Sequence, residues 1–350
     1  MKRVLIIYTG GTVGMVSQPG NGSLVPADFD RIRRLMPEID RMPVAVDYYP
    51  FLAPIDSSNI LPEVWQLLGR IIVENYTGYD GFVVLHGTDT MAYSASMLSY
   101  LLEGLAKPVV FTGAQLPADV VRSDAKENLI NALEIAAHPE FVVPEVCICF
   151  DSKLLRGNRT VKFSSEKFQA FQSPNYPPLV EAGVHLQFFT EHFRPYAPGA
   201  QLAFQREIDT RVGLLKFFPG LSFDQVRALL NAPNLRGVVL ETFGTGNLPE
   251  YTWLLNLLEE RIRSGIVFLN VSQCVAGAVE QGLYSTSRRL LELGVVSGHD
   301  LVTEAAITKL MYLLGRHPDD PTAVAQALGR DLRGEMTIAE PKYVPTPAER

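Results

Sequence analysis

Val4-Leu5-Ile6-Ile7-Tyr8-Thr9-Gly10-Gly11-Thr12 decides the fold class: five apolar or aromatic residues run straight into a glycine pair flanked by hydroxyls. A short, unalternating, β-branched run suits a strand covered on both faces, and the glycines suit the tight turn that ends it. Similar runs recur at helix-sized intervals at Gly81–Leu85, Pro108–Thr112, Val146–Phe150, Val212–Phe217, Arg236–Glu241 and Ile266–Asn270. Between several of them lie helix-like stretches, at Pro62–Asn75, Ala92–Gly104, Ser123–Ala136, Ser222–Asn231 and Glu250–Ser264. Strands alternating with helices predict an α/β protein of two domains, with mostly parallel sheets flanked by helices.

The 350 residues suffice for two cores, and 47% hydrophobic with 20% charged residues is the balance of an ordinary globular chain. The Pro- and Gly-containing stretch after residue 190 shows no sustained period. It divides a first domain, 1–190, from a smaller one, 213–336, with 191–212 as linker and 337–350 as a flexible tail. A formal charge of −7 without a basic stripe argues against a nucleic-acid partner. No stretch reaches the length of a membrane span, and the apolar run behind Lys2 and Arg3 is too short for a signal peptide, so a cytoplasmic location is expected. Cys147, Cys149 and Cys274 form neither a C-x-x-C pair nor an even set, which fits reduced thiols. Cys147 and Cys149, two apart on a strand, should share a buried face.

Four segments carry the polar groups that chemistry needs. Thr9-Gly10-Gly11-Thr12 follows a strand but lacks the first glycine of a dinucleotide fingerprint. It offers two hydroxyls on a glycine turn, for a ligand or for the local backbone. His86-Gly87-Thr88-Asp89-Thr90 follows another apolar strand, where Thr88 and Asp89 are either site groups or helix caps, and a histidine there is more often structural than a general base. Arg156-Gly157-Asn158-Arg159-Thr160-Val161-Lys162 is either a solvated basic loop or a lysine whose deprotonation is eased by neighbouring cations. Asp56-Ser57-Ser58-Asn59 is either a polar turn or a set of groups for an amino acid's charged ends.

Taken jointly, T-G-G-T-[IV], D-S-S, H-G-T-D-T-M and R-G-N-R-T-x-K, in this order, resemble the bacterial-type L-asparaginase family. Phe218–Gly220, Gly244–Asn247 and Ser272–Cys274 continue the similarity, which covers about residues 3–336 and looks like the cytoplasmic type I branch. The resemblance implies an asparaginase/glutaminase-like fold and conversion of L-asparagine to L-aspartate and ammonia through a threonine-linked acyl-enzyme, with glutamine as a minor substrate. Carried over by motif, Thr12 is the nucleophile, Thr88, Asp89 and Lys162 form a hydroxyl–carboxylate–lysine group, and Asp56, Ser57, Ser58, Thr88 and Asp89 hold the substrate. No cofactor and no metal are implied, and the six histidines show no H-x-x-x-H pair. The expected partners are the small substrate and further copies of the chain, as homodimer or homotetramer.

The chain departs from the family at two places. Gly22-Ser23-Leu24-Val25-Pro26 stands where the family has a tyrosine in G-Y-x-P, so Ser23, a water or a tyrosine from elsewhere would assist Thr12. Some type I members bind an effector asparagine through an arginine, a threonine and S-Q-C. Here the arginine position is Glu241 and the threonine position is Val161, while Ser272-Gln273-Cys274 is kept. A carboxylate at 241 would repel the effector's own, so no self-activation is expected. Two other readings are an asparaginase-like subunit of a tRNA-dependent amidotransferase, which normally carries an additional amino-terminal domain, and a catalytically silent amino-acid sensor. The sensor should have lost Thr12 or Lys162, and both are present.

Overall fold

A computed structural model describes residues 1–17, 24–26, 29–196, 200–282 and 285–338. Ser23 and residues 339–350 of the expected tail lie outside the described residues. The chain divides into two compact units, Met1–Thr210 and Arg211–Arg350.

In the first unit, β1 (Lys2–Tyr8), β2 (Val44–Pro50), β3 (Gly81–Leu85), β4 (Val109–Thr112), β5 (Val146–Phe150), β6 (Lys153–Arg156), β7 (Val180–Ala182) and β8 (Leu186–Phe188) form one sheet. Its order is β8-β7-β6-β5-β4-β3-β1-β2. The five strands from β5 to β2 run parallel, and β6, β7 and β8 extend the sheet antiparallel. The strands β1, β3, β4 and β5 are apolar because helices cover both faces: every residue of β3, β4 and β5 is buried. Each buried Val, Leu or Ile contributes about 1.5–3 kcal/mol, so the unbroken runs are the main stabilising element here. Cys147 and Cys149 enter the same core cluster, and burial pushes the Cys149 thiol up to about 12.

After β1 the chain moves to one side of it to form β2, then returns across it to form β3, β4 and β5 on the other. This reversal leaves a crevice beyond the carboxyl ends of β1 and β3, the place where open α/β sheets receive ligands. Thr9-Gly10-Gly11-Thr12 follows β1 and His86-Gly87-Thr88-Asp89 follows β3, so both motifs open onto it.

Of the expected linker, 191–212, the part up to Thr210 falls within the first unit. Ala203–Phe204 pairs with Leu102–Glu103, which ends the helix Met91–Leu101 sooner than the expected Gly104. The Phe204 ring fills the space over Gly69, and Gln66 Nε2 donates to Arg206 O at 2.7 Å. Arg194 N–H donates to the buried Glu145 carboxylate at 2.7 Å. These partners are distant in sequence and leave no local periodicity, so the stretch reads as loose.

In the second unit, β9 (Val212–Lys216), β10 (Gly237–Thr242), β11 (Val267–Ser272) and β12 (Val296–Ser297) are parallel, in that order. The helix Phe223–Leu230 starts with a capping box between Ser222 and Gln225, and it packs with Thr252–Arg263 around the core centred on Val238, Leu240 and Phe268. The helix Thr303–Arg316 carries Lys309, fully buried and paired with Glu335 at 2.6 Å. Lys309 Nζ also donates to Leu328 O at 2.9 Å and Arg330 O at 2.5 Å. Further along, Thr337 N–H donates to Asp300 at 2.6 Å, inside the stretch expected to be flexible.

Candidate active site

The glycine turns approach so closely that side chains are excluded. A Cβ on Gly10 would lie 2.1 Å from Ile55 O, and one on Gly11 2.4 Å from Gly87 N. At φ +137 and +85 both positions also favour glycine. Ile55 N–H donates to Thr9 O at 2.8 Å and Phe51 N–H to Tyr8 O at 2.9 Å, which ties the segment after β2 to the first turn and delivers Asp56–Asn59 to the crevice.

Thr12 opens a short 3-10 turn over Thr12–Gly14 and is partly buried beside the first glycine pair. Thr9 takes the local alternative: its hydroxyl donates to Leu85 O at 3.0 Å and clamps the ends of β1 and β3 together. Tyr8 donates to Gly14 O at 3.1 Å, and burial pushes its phenol up to about 12, so it keeps its proton and holds the turn.

Lys162 joins the other motifs. Its Nζ donates to Thr88 Oγ1 at 2.8 Å and to Asp89 Oδ1 at 2.6 Å. The lysine is largely covered, at 17% side-chain exposure, while Asp89 at 62% turns outward. Lys162 stands on the two-residue strand Val161–Lys162, paired antiparallel with Phe171–Gln172.

The segment before Lys162 is buried, not a solvated basic loop. Arg156 forms two bonds to Glu145, Nε to Oε2 at 2.5 Å and Nη2 to Oε1 at 3.1 Å. Both guanidinium groups lie over the Tyr176 ring, 4.2 Å away for Arg156 and 5.1 Å for Arg159. Glu145 neutralises Arg156, and both arginines anchor the segment against the Tyr176 ring. A Cβ on Gly157 would meet Ala95 Cβ and Val146 O at 2.9 Å, which fixes the segment against the helix Met91–Leu101.

Ser57 is 3% exposed, accepts from Asp89 N–H at 3.2 Å, and its carbonyl accepts from the Thr90 hydroxyl at 2.7 Å. Asp56 caps its own turn by accepting from Ser58 N–H at 3.0 Å, and the Ser58 side chain is exposed. The four segments read from sequence therefore meet: Gly11 abuts Gly87, Ser57 bonds Asp89, and Lys162 bonds Thr88 and Asp89.

One site residue escapes the motif reading. Thr88 donates to Gln115 Oε1 at 3.3 Å, and Gln115 sits on the turn after β4, where its N–H donates to Asp124 at 3.0 Å. The signal is Thr112-Gly113-Ala114-Gln115, a third strand running into a glycine turn. Among the described residues no group of three or more His, Cys, Asp or Glu side chains is placed to hold a metal ion. No helix among them is long and apolar enough to cross a membrane.

A family model described as "Asparaginase, N-terminal" matches residues 3–194, and one described as "Glutaminase/Asparaginase C-terminal domain" matches residues 211–328. The chain belongs to the asparaginase family. It is 41% identical over 338 residues to L-asparaginase 1 of Escherichia coli (strain K12), across 96% of this chain and 98% of that one. Among solved structures, L-asparaginase I from Vibrio cholerae superposes with a TM-score of 0.87 at 39% identity, covering 96% of this chain and 99% of that one. The thermostable L-asparaginase from Thermococcus kodakarensis gives 0.88 at 33% identity, with coverages of 96% and 100%. The asparaginase-family match spans both units and agrees with the type I branch that the motifs indicate.

Proposed function

We propose that this protein is an L-asparaginase, hydrolysing L-asparagine to L-aspartate and ammonia. The observation that carries the reading is Lys162 bridging the Thr88 hydroxyl and the Asp89 carboxylate at the crevice beyond β1 and β3, in a chain of the asparaginase family. In this reading Thr12 Oγ1 attacks the side-chain amide carbon, and its proton passes to a base. The tetrahedral intermediate collapses with cleavage of the C–N bond as that proton is handed to the leaving nitrogen, and ammonia leaves. Water then attacks the resulting ester on Thr12, the C–O bond to the enzyme breaks as a proton from that water returns to Thr12 Oγ1, and aspartate is released.

Thr88, Asp89 and Lys162 form the unit that handles the proton and the water. The exposed Asp89 carboxylate faces the substrate's ammonium, with Asp56, Ser57 and Ser58 completing the holder for its charged ends. Backbone N–H groups of the glycine turns stabilise the oxyanion. The buried thiols Cys147 and Cys149 suit a reducing compartment, and the enzyme works in the cytoplasm. It acts on a small substrate, without nucleic acid or membrane, as a homodimer or homotetramer.

Ammonia release by purified protein from asparagine, glutamine and other amides tests the substrate. Asparagine should lead, with glutamine a minor substrate. Thr12→Val is nearly isosteric and should lower kcat by about a thousandfold or more while leaving the fold intact. A Thr12→Val variant turning over at the wild-type rate would remove Thr12 from the reaction.

A further inference from the structure

We propose that Trp65 and Ser94 are positioning residues for this chemistry, acting through His86 to fix the direction of the Thr88 backbone N–H. The proposal rests on the asparaginase reading.

His86 is fully buried at the end of β3, with its backbone N–H donating to Thr112 O at 3.0 Å and its ring edge-on to Phe111. Nδ1 lies 2.7 Å from Gly87 O, and Nε2 lies 2.9 Å from Ser94 Oγ. Ser94 Oγ is also 2.8 Å from Trp65 Nε1, which reaches it from the neighbouring helix Pro62–Asn75.

Chemistry allows one assignment of the protons. A carbonyl only accepts, so Nδ1 carries a hydrogen and donates to Gly87 O. Burial holds the ring's titration down at about 4, so it is neutral at ordinary pH and Nε2 is bare. Nε2 therefore accepts from the Ser94 hydroxyl. An indole N–H only donates, so Ser94 Oγ accepts from Trp65. The chain runs Trp65 to Ser94 to His86 to Gly87 with every proton placed, and both ring nitrogens are occupied. This removes His86 from consideration as a general base.

The last acceptor matters because Gly87 C=O and Thr88 N–H belong to one peptide. That peptide is trans and planar, so its carbonyl and N–H point in opposite directions. Pinning the carbonyl to a buried ring aims the Thr88 N–H away from that ring. Among the described residues this N–H donates to no group. Gly87 has no side chain to steady its own peptide, because a Cβ there would lie 2.6 Å from Ser57 Oγ. An oxyanion donor stabilises charge only along a fixed direction, and the relay supplies that direction from two helices behind the site.

The test combines a spectrum with kinetics. In protein carrying 15N-labelled histidine, the His86 signal, assigned by its loss in His86→Asn, should show protonated Nδ1 and bare Nε2 from about pH 5 to 8, with mixed tautomers in Ser94→Ala. His86→Leu should lower kcat about 10- to 100-fold with KM within about twofold, because an oxyanion donor acts on the transition state. His86→Asn keeps an amide N–H near the Nδ1 position and should recover most of that loss. Trp65→Phe and Ser94→Ala should cost about three- to tenfold each. A protonated Nε2 in the wild type, wild-type kcat in His86→Leu, or losses appearing in KM would overturn the proposal. If wild-type protein releases no ammonia from any amide, the asparaginase reading fails, while the tautomer measurement, which needs no turnover, still decides whether the relay exists.

Discussion

Two lysine–carboxylate–threonine clusters occupy strand ends of this molecule, one in each unit, and they are built inside out with respect to each other. In the first unit Lys162 is the covered member and Asp89 the exposed one, and the ammonium donates to both the Thr88 hydroxyl and the carboxylate. In the second, Lys216 is 63% exposed and Glu241 11%; the carboxylate takes the lysine at 3.1 Å and the Thr303 hydroxyl at 2.6 Å. The same residue types thus give a covered cation paired with an outward carboxylate, and an inward carboxylate satisfied by its own neighbours. Composition does not separate them. Burial does, since a covered ammonium touching a hydroxyl can influence a reaction, whereas a solvated one on a surface pair contributes little.

The largest effect that would break this contrast comes from removing each lysine. Lys162→Met and Thr88→Val should each cut kcat by about a hundredfold or more, and the double variant should be little worse than the weaker single, because one relay cannot be lost twice. Lys216→Met should stay within about twofold of wild type. Multiplying losses in the double variant, or equal losses at both lysines, would erase the distinction.

A smaller effect concerns ligand binding at the second cluster. With Glu241 held by Lys216 and Thr303, and Gln273 Nε2 donating to Phe217 O at 2.6 Å and Glu241 O at 2.8 Å, the position expected to receive an effector's carboxylate holds a carboxylate of the chain's own with its partners already taken. Initial rates against asparagine should follow a hyperbola. A Hill coefficient well above one, abolished by Cys274→Tyr, would mean that this cluster binds asparagine after all.

The smallest effect is one of stability. Burial, reinforced by the neighbouring Glu241, pushes the Glu304 carboxyl up to about 7 from an ordinary 4.5. The folded chain therefore keeps this proton in a range where the unfolded chain has released it, so stability falls as pH rises from about 4.5 to 7 and stays lower above. Glu304→Gln cannot ionise. Its Tm relative to wild type should be several degrees higher at pH 8 than at pH 4.5, by calorimetry at both values, and an equal difference at the two would dismiss the effect.

The buried parallel strands were legible because covering both faces leaves unbroken apolar runs, and the glycine turns were legible because the backbones touch there. The strands β6, β7 and β8 were not, since short antiparallel edges alternate weakly. Residues 191–210 were hidden for a related reason: Phe204 packs on Gly69 and Arg194 bonds Glu145, contacts with no local pattern. Thr88, Asp89 and Lys162 stood out through their motifs, and their meeting is a matter of topology. Gln115 was passed over because one amide on a turn carries no distinctive chemistry by itself. Arg156 and Arg159 were misjudged because charge in a sequence suggests solvent, and only the structure reveals Glu145 and Tyr176.

The buried pair between Lys309 and Glu335 has a consequence for the lifetime of the protein as well as its shape. A protease cutting between Arg330 and Glu335 would remove few apolar contacts, yet it would strip the counter-charge from an ammonium sealed inside the second unit. Leaving such a charge uncompensated costs about 3–5 kcal/mol, a large part of a typical domain's whole margin. A nick at that one loop should therefore commit the unit to unfolding and clearance.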